Sequence, residues 1–82
     1  MQAVKFHEQN CTYVAEGCRD LPAYKTINEQ FQTDEIISLW ALSDDDLALI
    51  LKQIKSGIRP AIHLSVFGGQ PPVSLWVREK EW

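Results

Sequence analysis

A chain of 82 residues and 9.4 kDa, 45% apolar and 23% charged with a net charge of −3, has the composition of one small globular domain spanning 1–82. That excludes disorder, collagen and low-complexity assembly, and no apolar run approaches the ~20 residues of a membrane-spanning helix. A folded monomer of this mass exposes roughly 5,000 Å². Residues 1–42 carry three bases against six acids, and residues 43–82 carry five of each. No basic stripe is present to displace counterions from phosphates, so nucleic acid is not an expected partner. Three tryptophans (Trp40, Trp76 and Trp82) are a high count for so short a chain.

The first residues, Met-Gln-Ala-Val-Lys-Phe, lack the charged and long apolar regions of a signal peptide. A cytoplasmic chain with reduced Cys11 and Cys18 is therefore expected, and the sequon Asn10-Cys11-Thr12 goes unused. The spacing of His7, Cys11 and Cys18 matches no zinc pattern, since no close Cys pair is present, and no metal or cofactor is expected.

Ala3–Phe6 and Thr12–Ala15 read as short strands, Leu21–Tyr24 as an irregular or edge segment, and residues 28–35 as a polar connection of hairpin-loop type. Ile36–Leu42 reads as one strand. A helix over about 44–56 follows: Ser43 caps it, and Asp44, Asp45 and Asp46 sit where the helix dipole is positive. Asp46 stands where a capping box prefers Glu. Leu47, Ile50, Leu51 and Ile54 recur on one face, and Ser56-Gly57 then Pro60 stop the helix. The three carboxylates make its N-terminus unfit for a phosphate. Ala61–Phe67 and Val73–Arg78 read as a hairpin joined by the five-residue loop Gly68–Pro72.

Each clear strand contains Ser-aliphatic-aromatic: Ser38-Leu39-Trp40, Ser65-Val66-Phe67 and Ser74-Leu75-Trp76. Side chains alternate along a strand, so Ser and the aromatic share a face while the aliphatic points away. The aliphatic rows (Ile37, Leu39, Ala41; Ile62, Leu64, Val66; Val73, Leu75, Val77) are expected to pack on the helical stripe. The fold class is then α+β, a small antiparallel sheet of three to five strands covered on one face by a single helix.

The opposite face carries Ser38, Trp40, His63, Ser65, Phe67, Ser74, Trp76 and Arg78. Three readings of it stand: a second small core closed by Phe6, Tyr13 and Tyr24, a recognition surface, or a homodimer seam. On the recognition reading the partner-binding residues are Trp40, Phe67, Gly69, Gln70, Trp76 and Arg78. No catalytic residue is expected. His63 and Ser65 share a face, but no acid orients the histidine, and no nucleophile elbow, phosphate loop or dinucleotide fingerprint occurs.

The junction Leu-Trp-Ala-Leu-Ser-Asp-Asp-Asp-Leu at 39–47 and the run Leu-Ser-Val-Phe-Gly-Gly-Gln-Pro-Pro-Val at 64–73 resemble those of a loose group of short phage and mobile-element proteins. Those share a Trp-x-Leu-Ser-acid-acid strand-to-helix junction and a late Phe-Gly…Pro-Val hairpin. The likeness covers about half the chain, Gly-Gly-Gln-Pro-Pro departs slightly from its pattern, and its motifs are structural, so it carries no catalytic residue. It implies only a phage-related or accessory-genome origin. The small size, net acidity and lack of catalytic signatures then fit a non-enzymatic binding protein, an inhibitor of a host defence component acting in the host cytoplasm. The alternatives are a homo-oligomer that sequesters a small nucleotide through Trp, Ser, Arg78 and the glycine loop, and a minor structural virion protein.

Overall fold

The computed structural model describes residues 1–14, 16–17, 19–67 and 70–82, with the side chains of 67 and 70–73 left aside. It is an α+β fold with seven strands in small antiparallel sheets and one helix. The strands are β1 (Gln2–Val4), β2 (Cys11–Tyr13), β3 (Leu21–Asn28), β4 (Thr33–Ile37), β5 (Leu39–Ala41), β6 (Ile62–Phe67) and β7 (Gln70–Val77). The helix α1 runs Asp44–Lys55, one residue short of the expected end.

The strands divide among three sheets, β1–β5, β2–β3–β4 and β6–β7, where a single sheet was expected. The division follows from Ser38. The expected strand 36–42 breaks there, because β4 pairs with β3 while β5 pairs with β1. The Ser38 hydroxyl accepts from the Trp40 indole N–H at 2.9 Å, bonding within the chain at the crossing point.

Leu21–Tyr24, expected to be an irregular or edge segment, opens β3, the central strand of its sheet. Pro22 stands opposite Thr12 in the middle of the three-pair β2 ladder, ahead of the β4 pairing, whose pairs run from Tyr24–Ile37. Leu21 and Ala23 are buried where β1 packs across β3. Asn10 extends this sheet by mimicking a strand: its Oδ1 accepts from Lys25 N at 2.8 Å and its Nδ2 donates to Lys25 O at 2.9 Å. A hairpin turn is present as expected but is shorter than the expected 28–35: residues 29–32 turn, Asn28 closes β3 and Thr33–Glu35 belong to β4, with Asn28 Oδ1 accepting from Phe31 N and Gln32 in the left-handed region at φ 51°.

The cap of α1 is complete even with the shorter carboxylate. Ser43 Oγ accepts from Asp46 N at 3.1 Å, and Asp46 Oδ2 accepts from Ser43 N at 2.9 Å. The same carboxylate lies 2.7 Å from the α-amino group of Met1. The amine first, then the Ser43 bonds, lower the Asp46 pKa from 3.8 to about 2. At the other end Gly57, φ 76°, permits a Schellman closure, Ile58 N to Gln53 O and Gly57 N to Ile54 O.

The expected docking of the apolar stripe is corrected. Leu47, Leu51 and Ile54 are exposed, and so are Ile62, Leu64 and Val66 of β6. The side of α1 turned inward carries Gln53, with Leu49 and Ile50 half-buried beside it. Gln53 is 5% exposed, and its Nε2 donates to the Arg78 carbonyl just past β7. This polar contact and the buried Val77 fix where the helix sits, over β7 rather than over the whole hairpin. In the same way Ile37 and Leu39 stay exposed, because their sheets lie away from the helix.

The β6–β7 hairpin turns more tightly than expected. Phe67 pairs with Gln70, and the register then skips to Val66–Val73. Pro71 and Pro72 fall in the skipped positions of β7, where their missing N–H groups cost no ladder bond.

Candidate functional site

The register of β6–β7 places His63 opposite Trp76 and Ser65 opposite Ser74, so these four side chains share one face with Arg78. The His63 and Trp76 rings stack with centroids 5.1 Å apart and planes 22° from parallel. Arg78 Nη1 donates to His63 Nε2 at 3.1 Å, which requires the imidazole to carry its proton on Nδ1. The guanidinium, the imidazole and the indole thus form one connected group on a two-stranded sheet.

The group is half open. Trp76 is 45% exposed, while His63 and Arg78 are half-buried. Among the described residues no carboxylate pairs with Arg78, and its buried Nε–H has no acceptor. The arrangement offers an aromatic platform, a fixed positive charge and two serine hydroxyls. Such a surface stacks a ring or packs an apolar side chain while pairing an acidic group. No nucleophile–base–acid chain is assembled there.

Of the expected partner-binding residues, Trp76 and Arg78 come together here. Trp40 does not: it lies in the β1–β5 sheet, half-buried and turned onto Ser38. Gly69 lies outside the described residues. Phe67 and Gln70 are placed through backbone pairing only, their side chains also lying outside. His63, placed on this face by strand alternation but not among the expected partner-binding residues, joins the group because the register sets it against Trp76. Trp82, outside the tripeptide pattern, donates its indole N–H to the Arg59 carbonyl at 2.8 Å and ties the end of the chain to the segment before β6.

A second concavity of about 400 Å³ opens where the two N-terminal sheets meet, lined by Phe6, Glu8, Tyr24, Ile37, Ser38 and Leu39. Phe6 and Tyr24, expected to help close the face bearing Trp76, line this cleft instead. Cys11 is a free, half-buried thiol directed at the Ala23 carbonyl, and Cys18 lies outside the described residues. Among the described residues no three of His, Cys, Asp and Glu converge on a metal position, and no helix is long and apolar enough to cross a membrane.

Neither a protein-family model, nor a curated protein, nor a solved structure matches the chain. Function is therefore argued from the site alone.

Proposed function

We propose that the chain is a non-enzymatic binding protein that engages a protein partner through the Trp76–His63–Arg78 face. The observation that carries this reading is a guanidinium that no carboxylate pairs with among the described residues, held by His63 beside a half-exposed, ring-stacked tryptophan. Trp and Arg dominate contact energies once desolvated, and a stacked ring is already ordered before binding. The partner surface then presents an acidic side chain to Arg78 beside an apolar one over Trp76. The phage-type resemblance supports a host defence component as that partner, which the chain would block by occlusion.

The test is quantitative co-purification from host lysate with wild type, Trp76→Ala and Arg78→Lys. Loss of a central interface Trp costs at least about 2 kcal/mol, or roughly thirtyfold in affinity. The same captured protein should therefore be lost from both variants while their thermal melts stay cooperative. Equal capture by wild type and variants refutes the reading, as does loss of the cooperative melt in Trp76→Ala, which makes the indole structural.

One observation favours a second reading. A stacked ring pair beside a guanidinium also suits a nucleotide, base on Trp76 and phosphate on Arg78. A thermal-shift screen with cyclic nucleotides separates the two, because only this reading expects a stabilised melt.

A further inference from the structure

The molecule is more open than folded monomers of its size. Its accessible surface is 6541 Å², about 1,500 Å² more than the scaling of folded monomers gives for 9.4 kDa. Its radius of gyration is 15.0 Å, against about 12 Å for a compact chain of this length. A stable complex covers about 800 Å² on each partner, and obligate homodimers bury 2,000–5,000 Å² in total. Twice the excess, about 3,000 Å², falls inside the obligate range.

Part of that excess is apolar and lies together on the C-terminal hairpin and the helix, while Val14, Ile27, Phe31, Ile37 and Leu39 are exposed elsewhere. Ile62 pairs with Val77 and Leu64 with Leu75, so the β6 and β7 rows point to the same side of the hairpin. Helix α1 packs on β7 and Val77 is buried, whereas the β6 row is left open. The row Ile62, Leu64 and Val66 is thus exposed on the strand next to the one the helix packs on. On α1 the stripe Leu47, Leu51 and Ile54 lies roughly a third of a turn round from the inward-facing Gln53. All six side chains are between 46% and 64% exposed, and none of the six is charged.

We infer that two copies of this chain associate about a two-fold axis, each laying the Leu47/Leu51/Ile54 flank of α1 on the Ile62/Leu64/Val66 row of its partner. An open aliphatic strand row and an aliphatic helix flank on one chain each give the other an apolar surface to cover in a second copy, which is the requirement of an isologous interface. This surface is on the aliphatic side of the hairpin, opposite Trp76, so the inference stands apart from the partner-binding face and leaves that face open in both copies.

Sedimentation equilibrium between 1 and 100 μM tests it, with a mass twice 9.4 kDa expected and a melting temperature that rises with protein concentration. Leu51→Lys or Leu64→Glu, each alone, places a charge against an apolar wall at both symmetric contacts and should weaken association about 100-fold or more. Mixing the two variants should restore a dimer, because the introduced lysine then meets the introduced glutamate at one contact while the other contact is wild type. Phe31→Glu, in the distant β3–β4 turn, should leave the dimer unchanged. A wild-type mass of one copy at 100 μM overturns the inference. So does a dimer indifferent to both variants, an assembly growing beyond two copies, or a mixture that stays monomeric. Should a variant unfold when alone, recovery of its circular dichroism on mixing supports the inference, and failure to recover overturns it. None of these outcomes touches capture through Trp76, so the two proposals fail separately.

Discussion

Replacing Gln53 by methionine tests how the helix is held. Gln53 is almost fully buried, and its side-chain amide supplies the N–H that the Arg78 carbonyl accepts, across 25 residues of chain. Methionine keeps the length and nearly the volume of glutamine, so the cavity contribution is small. What is lost is one donor, leaving a carbonyl in the helix–strand seam without its partner, at about 1–3 kcal/mol. Methionine's extra apolar burial offsets part of that, so the net expected loss is about 1–2 kcal/mol. For a domain of this size each kcal/mol moves the melting midpoint by about 4–8 °C, so the midpoint should fall by about 5–15 °C. The assay is thermal unfolding by circular dichroism at 222 nm, at one fixed protein concentration so that association does not shift the midpoint. An unchanged or raised midpoint refutes the reasoning, since a helix held by apolar packing alone would welcome the substitution.

Three further outcomes follow from local geometry. Asp46 has its folded pKa depressed from 3.8 to about 2, so its stabilisation is fully present above pH 3.8 and is lost as pH falls through about 2; an acid titration of helicity should show this, and Asp46→Ala should lack it. Asn10→Ala removes both bonds to Lys25 and should destabilise by about 1–2 kcal/mol, with faster amide exchange at Lys25 than at its neighbours in β3. Gly57→Ala meets open space, so its cost is the backbone strain of φ 76° alone, about 1–2 kcal/mol; a neutral result by denaturant titration would show that the Schellman turn relaxes.

The elements carried by strong local chemistry were legible in the residues. Ser43 with three aspartates, an apolar period of 3.6 and Ser56-Gly57 located α1 to within a residue, because caps and stops act through nearest neighbours. The face shared by His63, Ser65, Ser74, Trp76 and Arg78 was legible for a related reason: alternation is a property of each strand by itself. What was not legible depends on partners distant in the chain. Nothing around Ser38 reveals that Ile37 pairs into one sheet and Leu39 into another. The apolar stripe of α1 identified a helix correctly but not its occupant, since periodicity tells which residues share a side and is silent on what covers it. Gln53 was missed because a glutamine among lysines reads as solvent-facing, and only the position of the Arg78 carbonyl makes it buried. The proline pair was assigned to the loop, whereas the bulge that absorbs Pro71 and Pro72 is set by pairing on both sides of them.

The pairing of Gln2–Val4 with Leu39–Ala41 also constrains the order in which the chain organises. The β3–β4 and β6–β7 hairpins and α1 draw on contacts between near neighbours and form quickly. The β1–β5 ladder brings together segments separated by about 35 residues and gains only three residue pairs in return. It therefore closes late, once β2–β4 has shortened the span between its halves. The ion pair of the Met1 amine with Asp46 latches the same segment onto the start of α1. Peeling β1 away opens that latch and uncovers Leu21 and Ala23 in one motion, so the first strand acts as the bolt on the N-terminal half of the molecule.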